Sequence, residues 1–65
     1  MSIGENLRAL RMKRGLTQGE LAEMVGVTRA FLCQIERGTK NPSLQVSVEI
    51  ARVLQCNLGE LVEGA

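Results

Sequence analysis

The stretch LTQGELAEMVGVTRAFLCQIERG, running from Leu16 to Gly38, decides the fold of this 65-residue chain. Gly26 stands where one apolar-periodic segment stops and Val27-Thr28 opens the next. Glycine enters the left-handed conformation at a helix C-terminus without the steric cost of a Cβ. Upstream, Thr17 is placed as an N-cap with Glu20 three residues on, which is a capping box, and Leu16 and Leu21 have the spacing of a hydrophobic staple. Downstream, Thr28 caps a second segment, and Val27 with Leu32 repeats the staple. The pattern predicts two well-started helices around a bend of roughly three or four residues.

Helices joined by so short a bend cross steeply, and small or apolar residues fall where they must touch. Ala22 lies near the crossing, Val25 on the same face, and Leu32 and Ile35 one turn apart on the second helix. A large side chain at Ala22 would push the two helices apart. Outward on the second helix remain Arg29, Ala30, Cys33, Gln34 and Arg37, a mostly polar face with two arginines and no acid. A B-DNA major groove accepts such a helix, and Arg and Gln pair bidentately there with guanine and adenine edges. Arg29 and Gln34 are therefore the candidate base readers, and Ala30 is short enough to touch only a thymine methyl. Gln18 begins the preceding helix, where backbone N–H groups and the helix dipole attract phosphate. Thr28 caps first and can touch phosphate second. Phe31 reads as core-edge packing, and Cys33 as a small residue in the place of a serine.

Outside this stretch, Ser2-Ile3-Gly4-Glu5 has capping-box form, and Ile3, Leu7 and Leu10 keep helical spacing up to Gly15. The polar face of that first helix carries Arg8, Arg11, Lys13 and Arg14. Arg14 is either a phosphate contact or a solvated helix end. After a loop from Arg37 to Ser43 that holds the one proline, Ser43 caps a fourth helix whose expected inward stripe is Leu44, Val48, Ala51 and Leu54. Asn57 and Glu60 open a short fifth helix with Leu58, Leu61 and Val62 apolar. The fold class is all-α: one compact domain of five helices over residues 1–65, with the helix-turn-helix motif at 18–37.

Composition narrows the function. An apolar fraction of 45% is enough for one core, and the net charge of +1 conceals a polarised distribution. Met1 to Pro42 holds seven Lys/Arg against four Glu, whereas Ser43 to Ala65 holds one Arg against three Glu. The basic part thus contains the two-helix motif, and its modest excess implies few phosphate contacts per subunit. Binders of single strands and of specific RNA sequences stack bases on aromatic rings, and Phe31 is the only aromatic residue, so duplex DNA is favoured. Two cysteines without histidine leave too few ligands for a zinc site. No catalytic triad, phosphate-cradling glycine loop or paired carboxylates support an enzyme, and no cofactor or small-molecule ligand is expected. No apolar run reaches membrane-spanning length and no signal-type segment stands at the N-terminus, so the expected location is cytoplasmic, without a membrane partner.

The run resembles the helix-turn-helix of the Cro/CI-type, or XRE-type, phage-repressor family in Gln18, Ala22, Gly26, Leu32 and Ile35, followed by Ile35-Glu36-Arg37-Gly38 and Asn41-Pro42-Ser43-Leu44. The resemblance covers roughly Ile3 to Val62 and implies a lambda-repressor-like domain. It further implies that Gln18 binds the DNA backbone and braces the reading helix, and that Lys40 and Asn41 lie along the sugar-phosphate chain. Arg37 joins the candidate backbone contacts. Arg11 and Glu36 match a pair that joins the first helix to the end of the third. Leu58, Leu61 and Val62 are either a dimer seam or the far edge of the core, and they match the end through which relatives pair, so that two reading helices are spaced by about 34 Å. Departures from the family pattern fall at Ser47, a place usually apolar, at Gln55, where glycine commonly ends the fourth helix, and at Gly59. The resulting expectation is a sequence-specific regulator, a repressor acting as a homodimer on a near-palindromic operator. The competing reading is an antitoxin-like or adaptor module that uses the same fold to bind protein. Arg29, Gln34 and Arg37 on the outward face favour the first.

Overall fold

The computed structural model describes residues 2–63. Five helices follow one another: α1 (Ile3–Lys13), α2 (Gln18–Val25), α3 (Arg29–Arg37), α4 (Leu44–Val53) and α5 (Leu58–Glu63). The described residues contain no strand, and no helix is long and apolar enough to cross a membrane. α1 packs on α3 and α5, α2 on α3 and α4, and α4 on α5, which closes a ring of helices about one core. Leu7, Leu21, Leu32, Ile35, Ile50, Leu54 and Leu61 fill it and are fully buried. Removing each from water contributes about 1.5–3 kcal/mol, which offsets the ordering of a short chain.

Each helix starts where the side-chain chemistry directs. Ser2 with Glu5 and Thr17 with Glu20 close complete capping boxes. The Thr28 hydroxyl accepts the N–H of Phe31 at 3.0 Å, and Ser43 accepts that of Val46 at 3.1 Å. Asn57 and Glu60 exchange reciprocal bonds at the head of α5. α2 ends on Gly26 at φ +90°, the left-handed conformation that its lack of a Cβ allows, and the chain turns directly into Val27 and the Thr28 cap.

Two expectations change. The inward stripe of α4 is Ser47, Ile50, Ala51 and Leu54, whereas Leu44 and Val48 stand 73% and 50% exposed. The helix begins one residue after Ser43, and its i, i+3, i+4, i+7 face toward the core therefore runs through 47, 50, 51 and 54. Ser47 tolerates burial because its hydroxyl donates to the carbonyl of Ser43 at 2.8 Å. In α5, Leu61 is fully buried among the core side chains and is no part of an exposed pairing seam. Leu58 packs at the core's edge, and only Val62 of that trio is exposed.

Two features near its N-terminus seat α1 against α3 and α5. A Cβ on Gly4 would lie 2.3 Å from the carbonyl oxygen of Ile35 and 2.8 Å from that of Glu36, so only glycine lets α1 approach the last turn of α3 this closely. Asn6 is buried, and its amide donates to the carbonyl of Leu61 at 3.0 Å, tying α1 to α5.

Candidate DNA-binding surface

α3 spans about 13 Å at the usual helical rise. Leu32 and Ile35 anchor it in the core, and Phe31 packs against the core's edge. Arg29, Ala30, Gln34 and Arg37 are left exposed, with Cys33 half-buried among them. Both cysteines are free thiols.

The one carboxylate of α3 is hidden from this face. Glu36 accepts from Nε of Arg11 at 2.7 Å and Nη2 at 3.1 Å, and from Nε2 of Gln18 at 3.1 Å. The third corner of the Arg11 guanidinium donates to the carbonyl of Leu16 at 2.8 Å. With side chains only 12% and 4% exposed, Arg11 and Glu36 form the pair expected from the sequence, and the guanidinium is committed to internal partners. A bidentate, additionally hydrogen-bonded arrangement is the one in which a desolvated pair is compensated. The cluster joins the ends of α1 and α3 to the first residue of α2, fixing the angle at which α2 presents its unsatisfied N–H groups.

Gln18, Gly19, Arg11 and Arg29 border an open concavity between the end of α1 and the first turns of α2 and α3. At the other end of α3 the loop folds back: the backbone N–H groups of Thr39 and Lys40 and the Thr39 hydroxyl all donate to the carbonyl of Gln34. Lys40 and Asn41 stand exposed beside Arg37 as a result. Polar and cationic groups thus bracket Ala30 and Gln34 from both ends.

Arg14 is employed elsewhere. Its Nε donates to the carbonyl of Leu54 at 2.7 Å and its Nη2 to that of Gln55 at 3.2 Å. The last carbonyls of a helix lack intrahelical partners and carry partial negative charge, and α1 ends beside those of α4, so the expectation of a DNA-backbone contact gives way to a helix cap. The cap braces Gln55, the one non-glycine among the described residues at positive φ (+56°). Next to it, burial and the charge of Glu60 push the Cys56 thiol up, against the opposing pull of Arg14.

The sequence reading missed Gly4, Asn6 and Gly19. Asn6 carried a signal, being polar on the stripe of Ile3, Leu7 and Leu10. Gly4 carried another, since glycine inside a helix costs about 1 kcal/mol relative to alanine and needs a local reason. Among the described residues no group of side chains could hold a metal ion.

Five helices, a short bend on glycine and an acid-free outward face on the second helix of the motif define a repressor-type helix-turn-helix domain. Residues 7–61 match the Helix-turn-helix family model, and the chain belongs to that family. An uncharacterized HTH-type transcriptional regulator of Archaeoglobus fulgidus is 44% identical over 55 residues, covering 85% of this chain and 79% of its own. The immunity repressor protein of Bacillus phage phi105 is 37% identical over 62 residues, covering 95% of this chain and 43% of its own. The P22 c2 repressor protein, crystallised in complex with synthetic operator 9T, superposes with a TM-score of 0.93 at 32% identity, over 100% of this chain and 98% of that one.

Proposed function

We propose that the chain is a sequence-specific double-stranded-DNA-binding transcriptional regulator, a repressor acting in the cytoplasm as a homodimer on a near-palindromic operator. The observation that carries this reading is the treatment of charge on α3: its single carboxylate, Glu36, is turned inward and neutralised, leaving a face with two arginines and no acid. In this reading Arg29 and Gln34 contact base edges and Ala30 a thymine methyl. Gln18, Thr28, Arg37, Lys40 and Asn41 position the protein on phosphates. The likeness to the P22 c2 repressor, itself solved on a synthetic operator, supports it.

Size and charge support the homodimer part of this reading. A body of 25 × 23 × 20 Å reads one half-site, and the basic excess of the motif is modest. A second copy one helical turn away, about 34 Å along the DNA, doubles both contacts and specificity. Of the apolar residues in α5, exposed Val62 and the edge of Leu58 remain available for that pairing.

Selection from random duplex DNA tests the reading, followed by titration of the enriched site at several salt concentrations. Enrichment of two inverted half-sites, with affinity falling steeply as salt rises, is the expected result. Binding that ignores sequence and salt would overturn it in favour of a protein-interaction module.

A further inference from the structure

Arg29 opens α3 and Gly19 is the second residue of α2. They meet across the bend: a Cβ on Gly19 would come 3.9 Å from Cδ of Arg29. The methylene stem of Arg29 therefore lies back along the first turn of α2, bordering the same concavity as Gln18, while the residue as a whole stays exposed. A guanidinium at the first position of a reading helix reaches a guanine edge when its stem leaves α2 and turns into the groove. Lying back, the stem keeps the side chain at the border of the concavity beside the first turn of α2, whose backbone N–H groups favour an anion. The stem keeps this resting place as long as position 19 carries nothing larger than a methyl group.

We infer that Gly19 is a specificity-determining position: by leaving the Arg29 stem a berth against α2, it divides Arg29 between a base edge and the phosphate backbone. This inference rests on the base-reading role proposed above for Arg29. Gly19 touches no DNA in this scheme and acts as a positioning residue, through the rotamer of Arg29. A Cβ alone does not close the berth, since 3.9 Å is ordinary van der Waals contact. Valine does, because its branched γ-carbons enter the space that Cδ occupies.

The test compares the wild-type chain, Gly19→Ala, Gly19→Val, Arg29→Ala and the Gly19→Val/Arg29→Ala double variant by selection on random duplex DNA and by salt titration. In parallel, nuclear Overhauser spectra of the free protein look for a contact between the Gly19 α-protons and the Arg29 δ-protons. The contact is expected in the wild type. Gly19→Ala should keep the wild-type base preference. Gly19→Val should sharpen preference several-fold at the base pair that Arg29→Ala relaxes and flatten the salt slope by about one. The double variant should match Arg29→Ala, an outcome that a merely structural role for Gly19 does not produce. A missing Overhauser contact, an unchanged preference in Gly19→Val, or a change that persists without Arg29 overturns the inference alone. If Arg29→Ala leaves preference untouched, the base-reading role falls first and the inference with it.

Discussion

The carboxylate of Glu36 and the guanidinium of Arg11, 25 residues apart in the chain, meet edge to edge beneath the exposed surface of α3. One contact does two things. It joins the first helix to the third, and it takes the one carboxylate of α3 off the helix's outward face.

Breaking that pair from one side leaves a desolvated charge without its partner. Glu36→Ala is expected to destabilise the fold by about 3–5 kcal/mol in urea denaturation. A loss below about 1 kcal/mol would place the pair in solvent-like surroundings instead.

Gly4→Ala and Gly19→Ala should have opposite signs. Both gain helix propensity of about 1 kcal/mol. At Gly4 the new methyl meets backbone carbonyls of α3 at 2.3 Å and 2.8 Å, and backbone cannot yield cheaply, so a net loss of about 1–3 kcal/mol follows. At Gly19 nothing opposes the gain, and the thermal midpoint should rise. Equal shifts in the two variants would sink the close-approach account of α1.

Gln55→Gly should stabilise by about 1 kcal/mol, because Gln55 holds a left-handed backbone at φ +56° that glycine adopts without penalty. Arg14→Ala, which removes the cap from the same turn, should shift the thermal midpoint the other way. Should Arg14→Ala instead leave stability unchanged and weaken DNA binding, its role as the cap of α4 would be wrong.

Acid should loosen the first turns of α1 and α2. Bonds from the backbone and hydroxyl of Ser2 hold the Glu5 carboxyl below the usual carboxylate range, and those of Thr17 do the same for Glu20. A group whose folded pKa is depressed contributes stability that is present above its unfolded pKa and lost as pH falls through the folded value. Stability measured against pH should therefore fall below the ordinary carboxylate range. Glu20→Gln, which caps without titrating, should flatten that fall. An identical acid limb in wild type and variant would contradict the assignment.

Arg29→Ala should relax preference at one base pair, whereas Lys40→Ala should weaken all sequences alike and reduce the salt slope by about one. Equal loss of preference in both, measured on the selected site and on scrambled duplex, would refute the division between reading and positioning.

Much of this was legible because it is local. Caps at Ser2, Thr17, Thr28, Ser43 and Asn57 act within one helical turn, and each starts the helix its neighbours require. Family resemblance supplied the partnership of Arg11 with Glu36, which no spacing rule gives. What stayed hidden depends on which elements become neighbours. Arg14 reads as either a phosphate contact or a solvated helix end until α1 is found to end beside α4, and Leu61 as either a seam or a core-edge residue until α5 is seen to complete the core. Of the expected inward face of α4, Ala51 and Leu54 are buried and Leu44 and Val48 are not. Leu44 and Val48 offered an apolar pattern as good as that of Ser47 and Ile50, and only packing against α2 and α5 chooses between them.

The bond from Asn6 to Leu61 spans 55 positions and joins the first helix to the fifth. The two ends of the described chain therefore depend on each other: α5 supplies both the acceptor for the buried Asn6 amide and the Leu61 side chain of the core. Removal of α5 would leave that amide without its partner and the core open beneath α1, so the outward face of α3 would lose its support from the opposite side of the molecule.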